Sequence, residues 1–380
     1  MKIAVVMDSF KGSMTSLEAG EAVKNGIKRA APDAEIVVKP IADGGEGTVD
    51  ALVCGMNGSY RQLRVTGPLG EKVDCTYGIL PDEQTAVMEM SAAAGLPLVP
   101  PSSRNPLYTT TRGVGEMILN AIEQGCRRFI IGIGGSATND GGVGMLQALG
   151  FDFLDRDGNA IRSGAQGLQE LVCIDNAHVL PQLKECSFRI ACDVSNPLCG
   201  ENGCSAVYGP QKGATSESIE RMDRWLNHYA QLAKQLYPQA DAEKPGTGAA
   251  GGMGFAFLTF LNAQLIPGIQ LVMEEMGAEQ LFQQSDLVIT GEGRLDGQTM
   301  MGKVPVGVAA LAKKHHKPVV ALAGCTSREA TACNGQGIDA FFPILREVVT
   351  LEQAMQKEQA MENLMLTAEQ VLRLWKASCR

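Results

Sequence analysis

Acidic, basic and glycine residues of this chain gather where apolar runs stop. The run Ile3-Ala4-Val5-Val6-Met7 ends in Asp8-Ser9-Phe10-Lys11, and Glu35 to Pro40 runs into Ile41-Ala42-Asp43-Gly44-Gly45-Glu46. Near the other end, Asp286 to Thr290 leads into Gly291-Glu292-Gly293-Arg294-Leu295-Asp296, and Pro318 to Ala323 into Gly324-Cys325-Thr326. Ligands of open parallel sheets bind outside the carboxyl ends of the strands. Glycines alone would be explained there by the need to turn. Carboxylates paired with glycines at several such ends point instead to a working cleft. Phosphoryl transfer needs a carboxylate to position or deprotonate the nucleophile, cations for the transferring group, and a magnesium held by oxygen. Asp8, Asp43, Glu46, Asp193, Glu292 and Asp296 supply the first and third; Lys11, Lys212, Arg294 and Lys303 supply the second.

A second constellation is Gly134-Gly135-Ser136-Ala137-Thr138-Asn139-Asp140-Gly141-Gly142, between the run Phe129 to Ile133 and a helical stretch from Val143. A glycine-rich loop before a helix offers backbone N–H groups to an anion and admits a phosphate closely. It is no Walker A loop, since no Gly-Lys-Ser/Thr follows, and the dinucleotide pattern fails at Ala137. Gly134, Gly135, Ser136, Thr138, Asn139 and Asp140 are therefore candidates to hold nucleotide phosphates. A third cluster, Gly246 to Gly254, reads either as another anion loop or as a close-packed helix start.

The elements that must position these residues follow from periodicity. Continuous apolar runs such as Ile3 to Met7 suit strands buried on both faces of a parallel sheet. A helix is expected from Ser16, with Leu17, Val23 and Ile27 on its apolar stripe. Strand–helix alternation at both ends predicts an α/β fold: a discontinuous Rossmann-like, doubly wound parallel-sheet domain assembled from 1–65 and 285–380. Residues 66–284 then form a second, inserted α/β domain. From about Tyr60 to Met90 the pattern alternates as antiparallel strands do. Helices are expected over 113–124 and 217–236, and strands over 129–133 and 188–191.

Composition narrows the partners. The net charge is -9 and no basic run occurs, which argues against nucleic acid. The first apolar run is too short for a signal peptide, and no stretch of about 18 apolar residues follows, so a cytoplasmic chain free of the membrane is expected. Eleven cysteines without a C-x-x-C, and no histidine near Cys192, Cys199 and Cys204, read as scattered reduced thiols rather than a zinc site. Homo-oligomerisation is left open.

The motifs Asp8 to Ser13, Ala42 to Thr48, Gly134 to Gly142, Ala191 to Val194, Asn196 to Leu198, Tyr208 to Gly213 and Gly291 to Asp296, in that order, resemble the bacterial type I glycerate kinase family. The resemblance runs from about residue 2 to about 345. It implies phosphorylation of D-glycerate by ATP, with 2-phospho-D-glycerate as the usual product, downstream of glyoxylate or sugar-acid breakdown. It also implies two α/β domains, one of them discontinuous. Residue roles follow from chemistry instead. Glycerate is expected between the domains, beside Ser9 and Phe10, with its carboxylate held by Arg294 and Asp296 nearby. Asp8 or Asp193 would take the hydroxyl proton, and Lys11 would steady the transferring phosphoryl group. Asp296, Asp43 or both would hold Mg2+. A dehydrogenase on the same sheet is disfavoured by the failed dinucleotide pattern, and a sensor by the lack of any basic segment.

Overall fold

A computed structural model of the chain describes residues 1–297, 299 and 302–378. The strands in chain order are β1 (Lys2–Met7) and β2 (Glu35–Pro40); then β3 to β10 (Ser59–Thr66, Lys72–Ile79, Thr85–Glu89, Arg128–Gly132, Asp152–Leu154, Cys173–Asp175, Ser187–Ala191, Gln264–Ile266); and last β11 (Leu287–Leu295), β12 (Val319–Thr326) and β13 (Ala340–Pro343). They belong to two compact units. The first comprises 1–43, 50–56 and 269–380, the second 44–49 and 57–268.

In the first unit a five-stranded sheet runs in the order β13-β12-β11-β1-β2. Every pairing is parallel. From β1 the chain moves outward to β2, whereas from β11 it moves the opposite way to β12 and β13. The direction of winding therefore reverses between β1 and β11, and that reversal opens a crevice at their carboxyl ends. Both faces of β1 are covered, since Ile3, Val5 and Met7 and the alternate Ala4 and Val6 are all buried. Ile3, Val5 and Met7 cluster with helix α1 (Ser16–Ala30) and the helix Lys357–Ser378. Helices Ala278–Gln284 and Val304–Lys314 also pack on β1, outside that cluster. This is the doubly wound arrangement the apolar runs predict.

Helix α1 opens with a capping box. The Thr15 hydroxyl accepts from the Glu18 N–H at 3.3 Å, and the Glu18 carboxylate accepts from the Thr15 N–H at 2.9 Å. Its buried stripe is Ala19, Ala22, Val23, Gly26 and Ile27, while the expected stripe residue Leu17 lies exposed. Small residues prevail because the C-terminal helix comes so near: a Cβ on Gly26 would stand 2.1 Å from the Met365 carbonyl oxygen.

The second unit holds a six-stranded sheet, β10-β9-β6-β5-β4-β3. From β10 to β5 the strands are parallel; β5, β4 and β3 are antiparallel, as the alternation over 60–90 predicts. Strand β3 pairs along its length with β4, so residues 59–65 join this sheet rather than the first domain, where the expected boundary placed them. Helices Gly268–Glu275 and Ala278–Gln284 lie almost wholly in the first unit rather than in the insertion. Sheet partnership decides membership, and composition does not report it. The short pair β7 and β8 has no counterpart in the expected elements. Aromatic rings of Phe153, Tyr229, Phe255 and Phe260 meet edge-on or stacked in this unit's core.

Candidate active site

The first unit brings its acidic and basic residues to the crevice between β1 and β11. The Asp8 N–H donates to the Gly291 carbonyl at 2.9 Å, which extends the pairing of the two strands one step past Met7. The Asp8 side chain is then fixed by the Ser9 N–H, which donates to its Oδ1 at 2.6 Å. Ser13 and Met14 both donate backbone N–H groups to the Phe10 carbonyl, closing a tight turn that Gly12 completes at a φ of 78°. Strand β11 runs on beyond β1, so Glu292 and Arg294, two apart, lie on one side of it. Gly291 must be glycine, because a Cβ there would stand 2.0 Å from the Leu322 carbonyl oxygen.

These residues line a cavity of about 410 Å³ that has two halves of unlike chemistry. The polar half holds Asp8, Ser9, Lys11, Asp43, Glu292, Arg294, Asp296 and Lys303. The other half is walled by Phe10, Ile344, Leu345, Leu351, Ala354 and Met355, with Asn363 among them.

Burial and crowding of like charge set the protonation of the polar half. The Asp8 carboxyl is pushed up to about 7, chiefly by burial. The Ser9 N–H opposes that shift, Asp43 and Glu292 add to it, and Lys11 offsets part of it. The Glu292 carboxyl is also raised by burial, against the Thr299 hydroxyl that donates to its Oε1 at 2.6 Å and against Lys303, with Asp296 and Asp43 adding to the rise. Arg294 is exposed, and its Nε lies 3.2 Å from Asp296 Oδ2. Among the described residues no three acidic, His or Cys side chains converge to cage a metal by themselves.

Asp193 and the Gly134 to Asp140 loop belong to the second unit. Asp193 Oδ1 accepts from the Gly268 N–H at 2.8 Å. In the loop, the polar side chains turn inward. Asp140 is fully buried and accepts from the Thr111 N–H and hydroxyl, both at 2.9 Å, and from the Gly142 and Gly144 N–H groups. Burial pushes its carboxyl up while those bonds pull it down. The Asn139 amide donates to Ser205 Oγ at 2.8 Å. Lys212, also buried, donates to Ser136 Oγ and to the Thr138 carbonyl, both at 2.7 Å. Burial lowers that ammonium to about 8. Gly134 and Gly135 are the exposed members of the loop.

The Gly246 to Gly254 cluster takes the close-packed form of its two readings. Ala250, Gly251 and Gly252 all have positive φ, and a Cβ on Gly251 would stand 2.1 Å from the Thr138 carbonyl oxygen. The Gly251 carbonyl accepts from the Gly141 N–H at 2.9 Å, so this cluster backs the loop it faces.

Asp8, Ser9, Phe10, Lys11, Asp43, Arg294 and Asp296 are thus brought together as the strand ends suggested. Sequence reasoning missed the apolar wall from 344–355 and Asn363. The signal for Asn363 was a polar residue between Ala360 and Leu364 on the buried stripe of the last helix. The wall had none, being short and irregular.

A parallel sheet wound both ways, with carboxyls and cations gathered in a cavity at its reversal point, defines an α/β protein of the doubly wound class with a ligand crevice there. The chain belongs to the glycerate kinase family, which it matches over residues 3–376. It is 49% identical to the glycerate 2-kinase of Escherichia coli K12 over 93% of each chain. It is 48% identical to the glycerate kinase of Bacillus subtilis 168, over 98% of this chain and 97% of that one. A solved structure assigned provisionally as glycerate kinase 2 from Salmonella typhimurium LT2 superposes with a TM-score of 0.92 at 46% identity, covering 100% of this chain and 99% of the other. Among the described residues no helix is long and apolar enough to cross a membrane.

Proposed function

We propose that this chain transfers the γ-phosphoryl group of ATP to the 2-hydroxyl of D-glycerate, giving 2-phospho-D-glycerate and ADP. The observation that carries the reading is Asp8: a buried carboxyl raised to about 7 at the sheet's reversal point, beside Lys11 and Arg294. A base acts best when its pKa lies near the working pH. The similarity to enzymes named glycerate 2-kinase and glycerate kinase supports the choice of acceptor.

Arg294, an exposed residue of the cavity lining, holds the glycerate carboxylate through its guanidinium fork. Ser9 and Phe10 flank the acceptor. Asp8 takes the hydroxyl proton as the acceptor oxygen forms its bond to the γ-phosphorus. The bond from that phosphorus to the β–γ bridging oxygen breaks, and ADP leaves with the electron pair. Lys11 neutralises charge on the oxygens of the phosphoryl group in flight. Asp193, already engaged by Gly268, is the weaker candidate for the base. In the second unit, a phosphate-binding role falls to the backbone of Gly134 and Gly135, since the side chains of Ser136, Asn139 and Asp140 are engaged within that unit.

The donor set fits magnesium. Asp43 and Asp296 are hard oxygen ligands in the cavity, and each adds to the crowding of negative charge around Glu292. Magnesium is commonly held by one or two carboxylates together with substrate phosphates, which is consistent with the lack of a full protein cage among the described residues. Asp43 and Asp296 would hold it, and it would supply neutralisation of phosphate charge.

A coupled assay of ADP release with D-glycerate, L-glycerate and tartronate tests the reading, followed by phosphorus NMR of the product. Release with D-glycerate alone and a 2-phospho resonance is the expected result. Turnover with none of the three would overturn it.

A further inference from the structure

We propose that the apolar half of the cavity in the first unit is the base pocket of the nucleotide donor, and that the Asn363 amide hydrogen-bonds the edge of the purine. The proposal rests on the phosphotransfer reading above and extends it to where the donor's base lies.

Size is the first argument. A cavity of about 410 Å³ falls in the range of roughly 300–1,000 Å³ that encloses drug-sized ligands. A three-carbon hydroxy acid fills only a fraction of such a space, and it has no use for an apolar wall. Every atom of glycerate except its carbon chain asks for a polar partner, and the Asp8, Lys11 and Arg294 half provides those.

Chemistry is the second. Phe10 and Ile344 of this lining are buried, while Leu351 is 79% exposed and Leu345 and Met355 are 41% and 37% exposed. Apolar side chains gathered round a cavity and left in water mark a ligand-binding surface. A flat purine between such side chains would take them out of water without requiring any charge.

Asn363 supplies the third, independent argument. It is 7% exposed, sits on the helix Lys357–Ser378, and lines this cavity. Apart from the helix ladder, its one hydrogen bond among the described residues is accepted by its main-chain carbonyl from the Thr367 hydroxyl, at 2.8 Å. The side-chain amide makes no hydrogen bond among the described residues, so its donor and acceptor edges remain open to solvent and to a ligand in the cavity that Asn363 lines. A ligand can take the place of the water on those edges. An amide can pair through both edges with the amino group and adjacent ring nitrogen of adenine. The polar half then lies where the phosphates of the same nucleotide would extend, toward Lys11 and Lys303.

The test measures steady-state constants for two variants, Asn363→Leu and Ala354→Trp, the second filling the apolar half. Adenosine, which carries no phosphate, serves as a competitive probe. The expected result for each is a KM for ATP raised about tenfold or more, with the KM for D-glycerate within about twofold of the parent. Adenosine inhibition should weaken in parallel, at unchanged melting temperature. An unchanged KM for ATP in both folded variants would overturn the proposal. So would a rise confined to the KM for D-glycerate, which would give the apolar half to the acceptor. A parent chain with no glycerate-dependent ADP release would sink the phosphotransfer reading instead. In that case, calorimetric binding of adenosine lost in Asn363→Leu would still support the base pocket, and its absence in the parent would overturn both.

Discussion

Asp8 serves two opposed demands. In its proposed role as base it must be ionised near neutrality, yet burial and the nearby Asp43 and Glu292 resist that charge. Its ordinary carboxyl value of 3.8 rises to about 7 on folding, so the folded chain holds the proton more tightly than the unfolded one. The corresponding stability is complete below about pH 4 and is lost as pH rises through about 7. Replacing Asp8 by Asn removes the charge but keeps the shape. Asp8→Asn should therefore melt higher than the parent at about pH 8, by a difference on the order of a few kcal/mol that shrinks at about pH 5. The same variant should lose about a hundred- to ten-thousand-fold in turnover. In the parent, activity should rise with pH along a limb centred near 7, and that limb should vanish from the residual rate of Asp8→Asn. A variant no more stable than the parent at high pH would show that the carboxyl ionises at little cost. Lys11 is exposed, so Lys11→Met should lower turnover by orders of magnitude with an unchanged melting curve. An active Lys11→Met enzyme would remove the residue from the mechanism.

Two elements hold the candidate site by contacts that leave little room. Helix α1 follows the Asp8 to Ser13 turn, and its Gly26 lies against the backbone of helix Lys357–Ser378, which carries Asn363. Gly26→Ala would normally favour a helix by about 1 kcal/mol. Here the added methyl meets a carbonyl oxygen at 2.1 Å, so the helices must part, at a net cost of about 1–3 kcal/mol. Urea denaturation should show that loss, and a Gly26→Ala variant more stable than the parent would mean the helices give way freely. In the second unit, Lys212 ties the inner side of the glycine loop. Lys212→Met leaves the Ser136 hydroxyl and Thr138 carbonyl without their donor, each worth about 1–3 kcal/mol when buried. Relief of the buried charge offsets part of that. A fall in the denaturation midpoint is expected, and an unchanged midpoint would mean water replaces the ammonium. Neither contact was legible in the chain. Gly26 looks like a weak helix position and Lys212 like one more cation for a phosphoryl group, because what gives each its role comes from Met365 and from Ser136, far along the sequence. Asp8 was legible because a local rule, a polar residue straight after a buried strand, places it at the crevice; Asp43 stands three residues past β2, and Arg294 in the stretch of β11 that runs on beyond β1, where the glycine-flanked charges marked them.

At the scale of the whole chain, the strand order explains both what could be read and where the reading slipped. Continuous apolar runs at the two ends announced strands covered on both faces, and such strands need one another. The boundary was misplaced because 59–65 has no apolar run of its own and is defined by pairing with β4. Strand β1 lies between β2 and β11, so two strands of the first unit's sheet come from one end of the chain and three, including the central β11, from near the other. The second unit is different. Residues 57–268 carry all six strands of its sheet and all of its aromatic cluster in one continuous stretch. A stretch with its own core is expected to fold alone. Expressed separately, residues 57–268 should give one cooperative thermal transition, whereas 269–380, stripped of β1 and with the β1-facing edge of β11 unpaired, should show none and should aggregate. Mixing 269–380 with a peptide of residues 1–56 should restore part of the missing structure by far-ultraviolet circular dichroism, because that peptide returns β1 and β2 to the open edge of β11. If 57–268 melts without cooperativity, its core depends on more than its own strands. If 269–380 folds alone, β1 is an addition to that sheet and not a requirement of it.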